Sequence, residues 1–265
     1  MKKPLTILVS LVLYSFLHAQ PFAGIYRNLL PYSSIQKTAL AFPANQAALA
    51  DVDRLSFGIY GERRFLLQQL GWYDLVIALP LSFSHFGMQI IYMGGGAQQQ
   101  TQLALAYARR MNKVQMGLQF NRHSMVTRGY GQSSYFDVEG GLIFQLNTAL
   151  RTGFHIRHTA GPPGRHYGIP AGFMAGFGYD VSQQFYLGLL VAKTEDRDAE
   201  VQAGFEYALH QLIGIRCGIA TSTGLFYFGI GLALQGFRID LTVSVHEQLG
   251  MTPGSALLYP SMNKE

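Results

Sequence analysis

The chain has one cysteine, Cys217, among its 265 residues, so no disulfide can form within it. Charge is scarce too, since Asp, Glu, Lys and Arg together make up 13% of the residues. Setting aside Lys2 and Lys3, which fall in a leader, lowers the formal net charge from +5 to about +3, too small an excess to suggest nucleic acid as a partner. Beyond the leader, no apolar run approaches the roughly 20 residues that a membrane-spanning helix needs. Catalytic groupings are also missing. The nearest is Asn121-Arg122-His123-Ser124, but adjacent strand residues face opposite sides, so His123 and Ser124 cannot act as base and nucleophile together. His155 and His158 diverge likewise, and His166 is a lone loop histidine without metal-ligand spacing. Gly94-Gly95-Gly96 follows a strand with no helix behind it, which removes the context of a phosphate loop. An enzyme, a metal site and a cofactor are therefore not expected.

The sequence opens with a secretory pattern. Met1, Lys2 and Lys3 give a basic start, Leu5 to Leu17 an apolar run, and Ala19-Gln20 a small-residue cleavage point. A membrane anchor is the competing reading, but the run is short for a spanning helix. Residues 1–20 are thus expected to be a signal peptide, and with no cysteine near the cleavage point no lipid-modified terminus follows.

The rest of the chain is dominated by period-two alternation of apolar with small or polar residues. Strands are predicted at 54–65, 71–81, 83–93, 101–110, 113–125, 133–146, 148–159, 171–181, 184–194, 199–209, 211–221, 224–234, 236–246 and 255–260. Most have the roughly 9 to 11 residues of a tilted membrane strand. In 148–159, Leu150, Phe154 and Ile156 oppose Arg151, Gly153, His155 and Arg157. In 236–246, Phe237, Ile239, Leu241, Val243 and Val245 oppose Arg238, Asp240, Thr242, Ser244 and His246. An outward set this apolar argues against a soluble β-sandwich and for an all-β, transmembrane antiparallel β-barrel with an apolar lipid face and a polar lumen. About fourteen strands are predicted, with twelve as the fallback.

Connections alternate between tight turns (111–113, 147–148, 182–183, 210–211, 235–236) and longer ones (94–100, 127–132, 160–170, 195–198, 247–254). Outer-membrane barrels keep short turns on the periplasmic side, which would place both termini there. In that orientation Tyr107, Phe144, Tyr179, Phe185, Tyr207 and Phe237 form an outward aromatic girdle near the periplasmic strand ends. Cys217, between the outward residues Ile215 and Ile219, needs no role beyond that of a small apolar residue.

The inward set includes Asp137, Glu139, Arg151, Arg157, Glu206, Arg216, Arg238 and Asp240, with Glu62, Asp74 and Glu200. Both signs occur, which predicts a polar network rather than a wide ion-selective pore. Small inward residues such as Gly117, Gly141, Gly153, Gly176, Gly178, Gly188, Gly204, Gly214 and Gly218 leave space for a plug. Residues 21–53 show no strand alternation and can supply one. The divisions expected are a signal peptide (1–20), a hatch (21–53), a barrel (54–260) and a tail (261–265).

Two short elements carry a resemblance. Asn45-Gln46-Ala47 is similar to the Asn-Pro-Ala element that precedes the barrel in the FadL-like superfamily, with Gln46 at the proline position. His246-Glu247-Gln248-Leu249-Gly250-Met251-Thr252-Pro253 resembles the segment that enters the last strand in PorV and PorQ proteins of Bacteroidota. The resemblance implies a fourteen-stranded barrel with an N-terminal hatch in the outer membrane of a Gram-negative bacterium. It further implies a non-catalytic accessory or scaffold role in type IX secretion or surface export, with secretion-system proteins and membrane lipid as partners. The alternative it offers is a FadL-like passive channel for small hydrophobic solutes.

Overall fold

The computed structural model describes residues 24–160, 171–195, 197–221 and 224–260. The leader, the tail, the side chain of His158 and the loop with His166 lie outside them. Fourteen strands alternate direction and close on themselves: β1 (Ser56–Arg63), β2 (Gly71–Pro80), β3 (His85–Gly95), β4 (Gln98–Met111), β5 (Val114–Thr127), β6 (Gly131–Gln145), β7 (Leu150–Ala160), β8 (Gly172–Asp180), β9 (Phe185–Thr194), β10 (Glu200–His210), β11 (Ile213–Ala220), β12 (Leu225–Leu234), β13 (Phe237–His246) and β14 (Gly250–Tyr259). Each pairs with its sequence neighbours, and β1 seals the barrel against β14, from Phe57 opposite Tyr259 to Glu62 opposite Gly254. Closure leaves no sheet edge exposed to lipid, which the bilayer requires.

Connections at one end have two to four residues, whereas those at the other run from two and three residues (96–97, 128–130, 247–249) up to seven (64–70) among the described residues, so the predicted segregation by length holds only in part. We refer to the terminal end, where β1 begins and β14 finishes, and the loop end opposite. Two loop-end boundaries differ from the sequence reading. The connection expected over 94–100 is a two-residue turn at Gly96-Ala97, made possible by the positive φ of Gly94 and Gly96 (93° and 76°). The last strand begins at Gly250, not 255, with Pro253 opposite Val243. Because β1 stops opposite Gly254, residues 250–253 have a strand partner on one side alone, where proline is tolerated. The wall is uneven: β4, β5 and β6 have 14, 14 and 15 residues, whereas β8 has 9 and β11 has 8.

The faces separate as the alternation requires. Leu105, Phe120, Ile156, Phe226 and Leu241 stand exposed on the outside, each flanked along its strand by less exposed, inward-facing neighbours. The six girdle residues are joined at the terminal end by Phe86 against Tyr107 and by Tyr259 between Phe57 and Phe237, with centroids 5.0–5.5 Å apart. A second outward aromatic set at the loop end includes the Tyr73–Tyr92 pair and Phe136. Two aromatic belts with an apolar band between them match a bilayer with two interfaces. Leu105→Arg, in the middle of β4, is expected to lower stability by roughly 2–4 kcal/mol in vesicle-embedded unfolding titrations, the cost of a cation at the bilayer midplane.

The hatch segment fills much of the lumen, from Gly58 and Gly178 toward the terminal end to Glu62 and Gln202 toward the loop end. It folds as three 3-10 helices, Ile25–Tyr32, Ala39–Ala41 and Gln46–Asp51. Pro31 inside the first and Pro43 before the third interrupt longer helices and leave short tight ones as the regular structure open to it. Leu40, Phe42 and Leu49 are fully buried, each contributing roughly 1.5–3 kcal/mol. The wall is glycine where the plug comes closest. A Cβ on Gly176 or Gly178 would collide with Tyr32, and one on Gly117 with the Gln46-Ala47 backbone. Of the inward glycines singled out in the sequence, Gly117, Gly141, Gly153, Gly176 and Gly178 receive the plug and Gly188 and Gly204 meet its Leu29, whereas Gly214 and Gly218 make room for wall side chains instead.

Candidate functional site

The polar residues singled out in the sequence fall into three clusters, and the plug takes part in each. In the first, Glu139 accepts hydrogen bonds from Arg157 Nε (2.8 Å), from Asn121 Nδ2 (3.1 Å) and from Gln46 Nε2 of the plug (2.8 Å), with His155 Nε2 at 3.0 Å. Asp137 beside it accepts from Asn121 and lies 3.1 Å from His123 Nε2. In the second, Arg151 binds Asp51 of the plug at 2.7 and 3.2 Å, and Arg110 and Gln115 hold the same carboxylate. In the third, Arg216 and Arg238 share Glu206 and Asp240 over 2.6–3.5 Å, and Arg216 stacks on Tyr26 of the plug, 4.5 Å from its centroid. All eight polar residues singled out in the sequence face the lumen, but they form three separate groups. Arg151 finds its carboxylate in the plug and not in the wall.

The Asn45-Gln46-Ala47 element sits where plug meets wall. Asn45 caps the third helix, accepting from Ala47 N at 3.1 Å, while its amide donates to the carbonyls of Leu142 (3.3 Å) and Phe154 (3.1 Å). Those two carbonyls belong to the wall, and a Cβ on the adjacent Gly141 would collide with the Asn45 side chain. Gln46 occupies the first helical position, which also suits proline. Its side chain supplies the bond to Glu139 that a proline would lack, and Ala47 packs fully buried behind it.

Sequence reasoning missed several clamps. Asp180 accepts from Ser33 Oγ (2.8 Å), Ser34 N (2.7 Å) and Ser34 Oγ (2.5 Å). Arg27 pairs with Asp74 at 2.5 Å, and Gly24 N donates to Glu62 at 2.9 Å. Alternation placed Asp74 and Glu62 inside, but nothing in the plug's own sequence marked Arg27 or Asp51 as their counterparts or as partners of the wall. The buried glutamines 89, 102, 115, 119 and 202 were missed as well, though all lie at inward positions of the predicted strands.

The plug separates two cavities. A larger one, about 300 Å³, faces the loop end. Its floor is Arg27, Asn28, Pro43 and Ala44 of the plug, and its wall includes Trp72, Ile91, Gln102, Gln119, His123 and Arg157. A smaller one, about 170 Å³, lies at the terminal end between Ile35-Gln36 and a wall that includes Tyr186, Glu206 and Arg238.

Solved channels share this fold. The toluene transporter TodX of Pseudomonas putida superposes with a TM-score of 0.64 over 92% of this chain and 98% of its own, at 10% identity. The CymD monoaromatic hydrocarbon channel gives a TM-score of 0.60 over 88% and 98%, also at 10% identity. No family model and no curated protein matches the sequence. The likeness is one of architecture, carried by the closed fourteen-stranded barrel. It lends no support to a secretion-accessory role, nor does it show PorV or PorQ identity.

The His123–Ser124 pair of the sequence is not brought together. His123 is buried and stacked on Tyr135 at 4.5 Å, while Ser124 accepts from Gln132, so the two are turned apart. Among the described residues no group of three or more His, Cys, Asp or Glu side chains could hold a metal.

Proposed function

We propose that this chain is a non-catalytic, FadL-like outer-membrane channel that passes small hydrophobic solutes by diffusion and is closed at rest by its N-terminal plug. The observation that carries this reading is the division of one closed barrel by a segment clamped through side-chain polar contacts, with a cavity on either side. Such contacts can be exchanged for others without breaking the wall, which is what a gate needs. The toluene transporter and the hydrocarbon channel among the structural neighbours support the solute class. The tight-turn end faces the periplasm in this proposal, and membrane lipid is the partner of the outer face.

Vesicles with a lipopolysaccharide outer leaflet test it. Toluene uptake is expected to be faster when the protein is present than in protein-free vesicles, and equal rates would overturn the channel reading.

A further inference from the structure

The amides lining the loop-end cavity all point the same way. Gln89 on β3 donates through Nε2 to both oxygens of Asp74 (3.0 and 3.1 Å). Gln102 on β4 and Gln119 on β5 donate to Asn121 Oδ1 (3.1 and 2.8 Å), and Gln100 on β4 donates to Tyr135 Oη (3.5 Å). Buried carboxylates dictate this polarity. Asp137 and Glu139 accept only, so they take the amide protons of Asn121. That turns the Asn121 oxygen toward the next two glutamines and draws their protons inward in turn. In none of the four glutamines does the carbonyl oxygen accept a hydrogen bond from the described residues. Those of Gln89, Gln100 and Gln102 keep access to the open lumen, whereas that of Gln119 is fully covered.

An apolar surface lies in register with these acceptors. Ile91 pairs across the ladder with both Asp74 and Gln102, and Met93 with both Trp72 and Gln100. All are cavity-lining residues, so a row of carbonyl acceptors borders a patch of indole, isoleucine and methionine. At about 300 Å³ the cavity is at the small end of ligand sites, which run from roughly 300 to 1,000 Å³.

We propose that the loop-end cavity is a binding site for a small ring compound that carries a hydroxyl group, such as a phenol. The ring lies against Trp72, Ile91 and Met93, and the O–H donates to the carbonyls of Gln100 and Gln102. A bare hydrocarbon fills the apolar patch but strips water from these acceptors without replacing it, a cost that selects against it. The inference rests on the channel reading for its solute size and narrows that class from hydrophobic compounds at large to those with a donor.

Trp72 is the single tryptophan of the chain, so its fluorescence reports on this cavity. Titration of the purified full-length protein with p-cresol and with toluene, which differ by one hydroxyl, is the experiment. The expected result is a saturable change with p-cresol at an affinity about tenfold above that for toluene, as one net hydrogen bond gives. In the Q100L/Q102L double variant the preference should shrink to within about twofold. The single variant Q100L, which gives up one weak bond at the rim, should reduce it partly and stands in if the double variant lacks the heat-modifiable gel mobility of a folded barrel. Toluene binding as tightly as p-cresol, no saturable response to p-cresol, or a preference that survives both variants would overturn the site. Binding is read here without flux. A protein that prefers p-cresol yet speeds no uptake sinks the channel alone, and one that speeds uptake without the preference sinks the site alone.

Discussion

Replacing Asp51 and Asp180 together by alanine is expected to raise the conductance of the barrel in planar bilayers at least tenfold over the intact protein. These two carboxylates hold the plug at separate places. Asp51, on the plug, binds Arg151 at 2.7 Å, Gln115 at 2.9 Å and also Arg110, while Asp180, on the wall, binds Ser33 and Ser34. Breaking one buried, hydrogen-bonded charge pair costs roughly 3–5 kcal/mol, and moving a two-state equilibrium from 1:99 to 99:1 takes about 5.5 kcal/mol. Losing the Asp51 pair and the serine bonds of Asp180, each of the latter worth roughly 1.5–3 kcal/mol, supplies a shift of that size toward a released plug, provided the wall stays closed. The wall should stay closed, since each of its ladders is formed between strands and uses neither carboxylate. A double variant that folds, keeps its heat-modifiable mobility and still conducts no better than the parent would show that these clamps do not hold the gate.

Arg216→Met should cost about 3–5 kcal/mol in urea unfolding of the membrane-embedded protein, the largest loss expected of any single wall substitution discussed here. Arg216 and Arg238 together neutralise Glu206 and Asp240, and all four are inward and close-set, with N···O distances of 2.6–3.5 Å. Without Arg216 one guanidinium is left between two carboxylates, and Tyr26 of the plug loses the cation stacked on it. The penalty comes from an uncompensated buried charge rather than from the worth of the pair itself. Adding Asp240→Asn to Arg216→Met restores the balance and should recover more than half of the loss. A single variant within 1 kcal/mol of the parent, or a double variant that recovers nothing, would contradict this account.

Alternation was enough to read the wall from the sequence because lipid and lumen impose opposite demands on successive residues. Phe154 and Ile156 emerge outward and Arg151 and His155 inward, as period two requires. It failed where other chemistry governs the chain. Pro253 and the glycines beside it look like a connection, and only the absence of a β1 neighbour past Gly254 explains how a strand runs through them. The plug resisted for a different reason. Prolines break the segment into helices of three to eight residues, and the contacts that fix them join residues far apart in sequence, such as Asn28 with Gln202 and Leu29 with Tyr186. Alternation could place Arg151 in the lumen but not reveal that its partner is Asp51. The glutamine row was legible in part. Gln89, Gln102 and Gln119 fall on inward positions, whereas the direction of their amides depends on the carboxylates that register brings beside them.

The plug precedes the wall in the chain, and that order bears on assembly. The seam between β1 and β14 joins the two ends of the barrel sequence and is the most entropically demanding contact to make. Leu40, packed against Gly58 and Val76 near that seam, and Tyr32, seated against Gly153, Gly176 and Gly178 on another arc of the wall, span the lumen from within. A nascent sheet that curls around this segment finds apolar and charged anchors at several points of its circumference before its edges meet. Leu40 and Tyr32 sit half a circumference apart, so seating of the plug and closure of the seam are expected to be coupled.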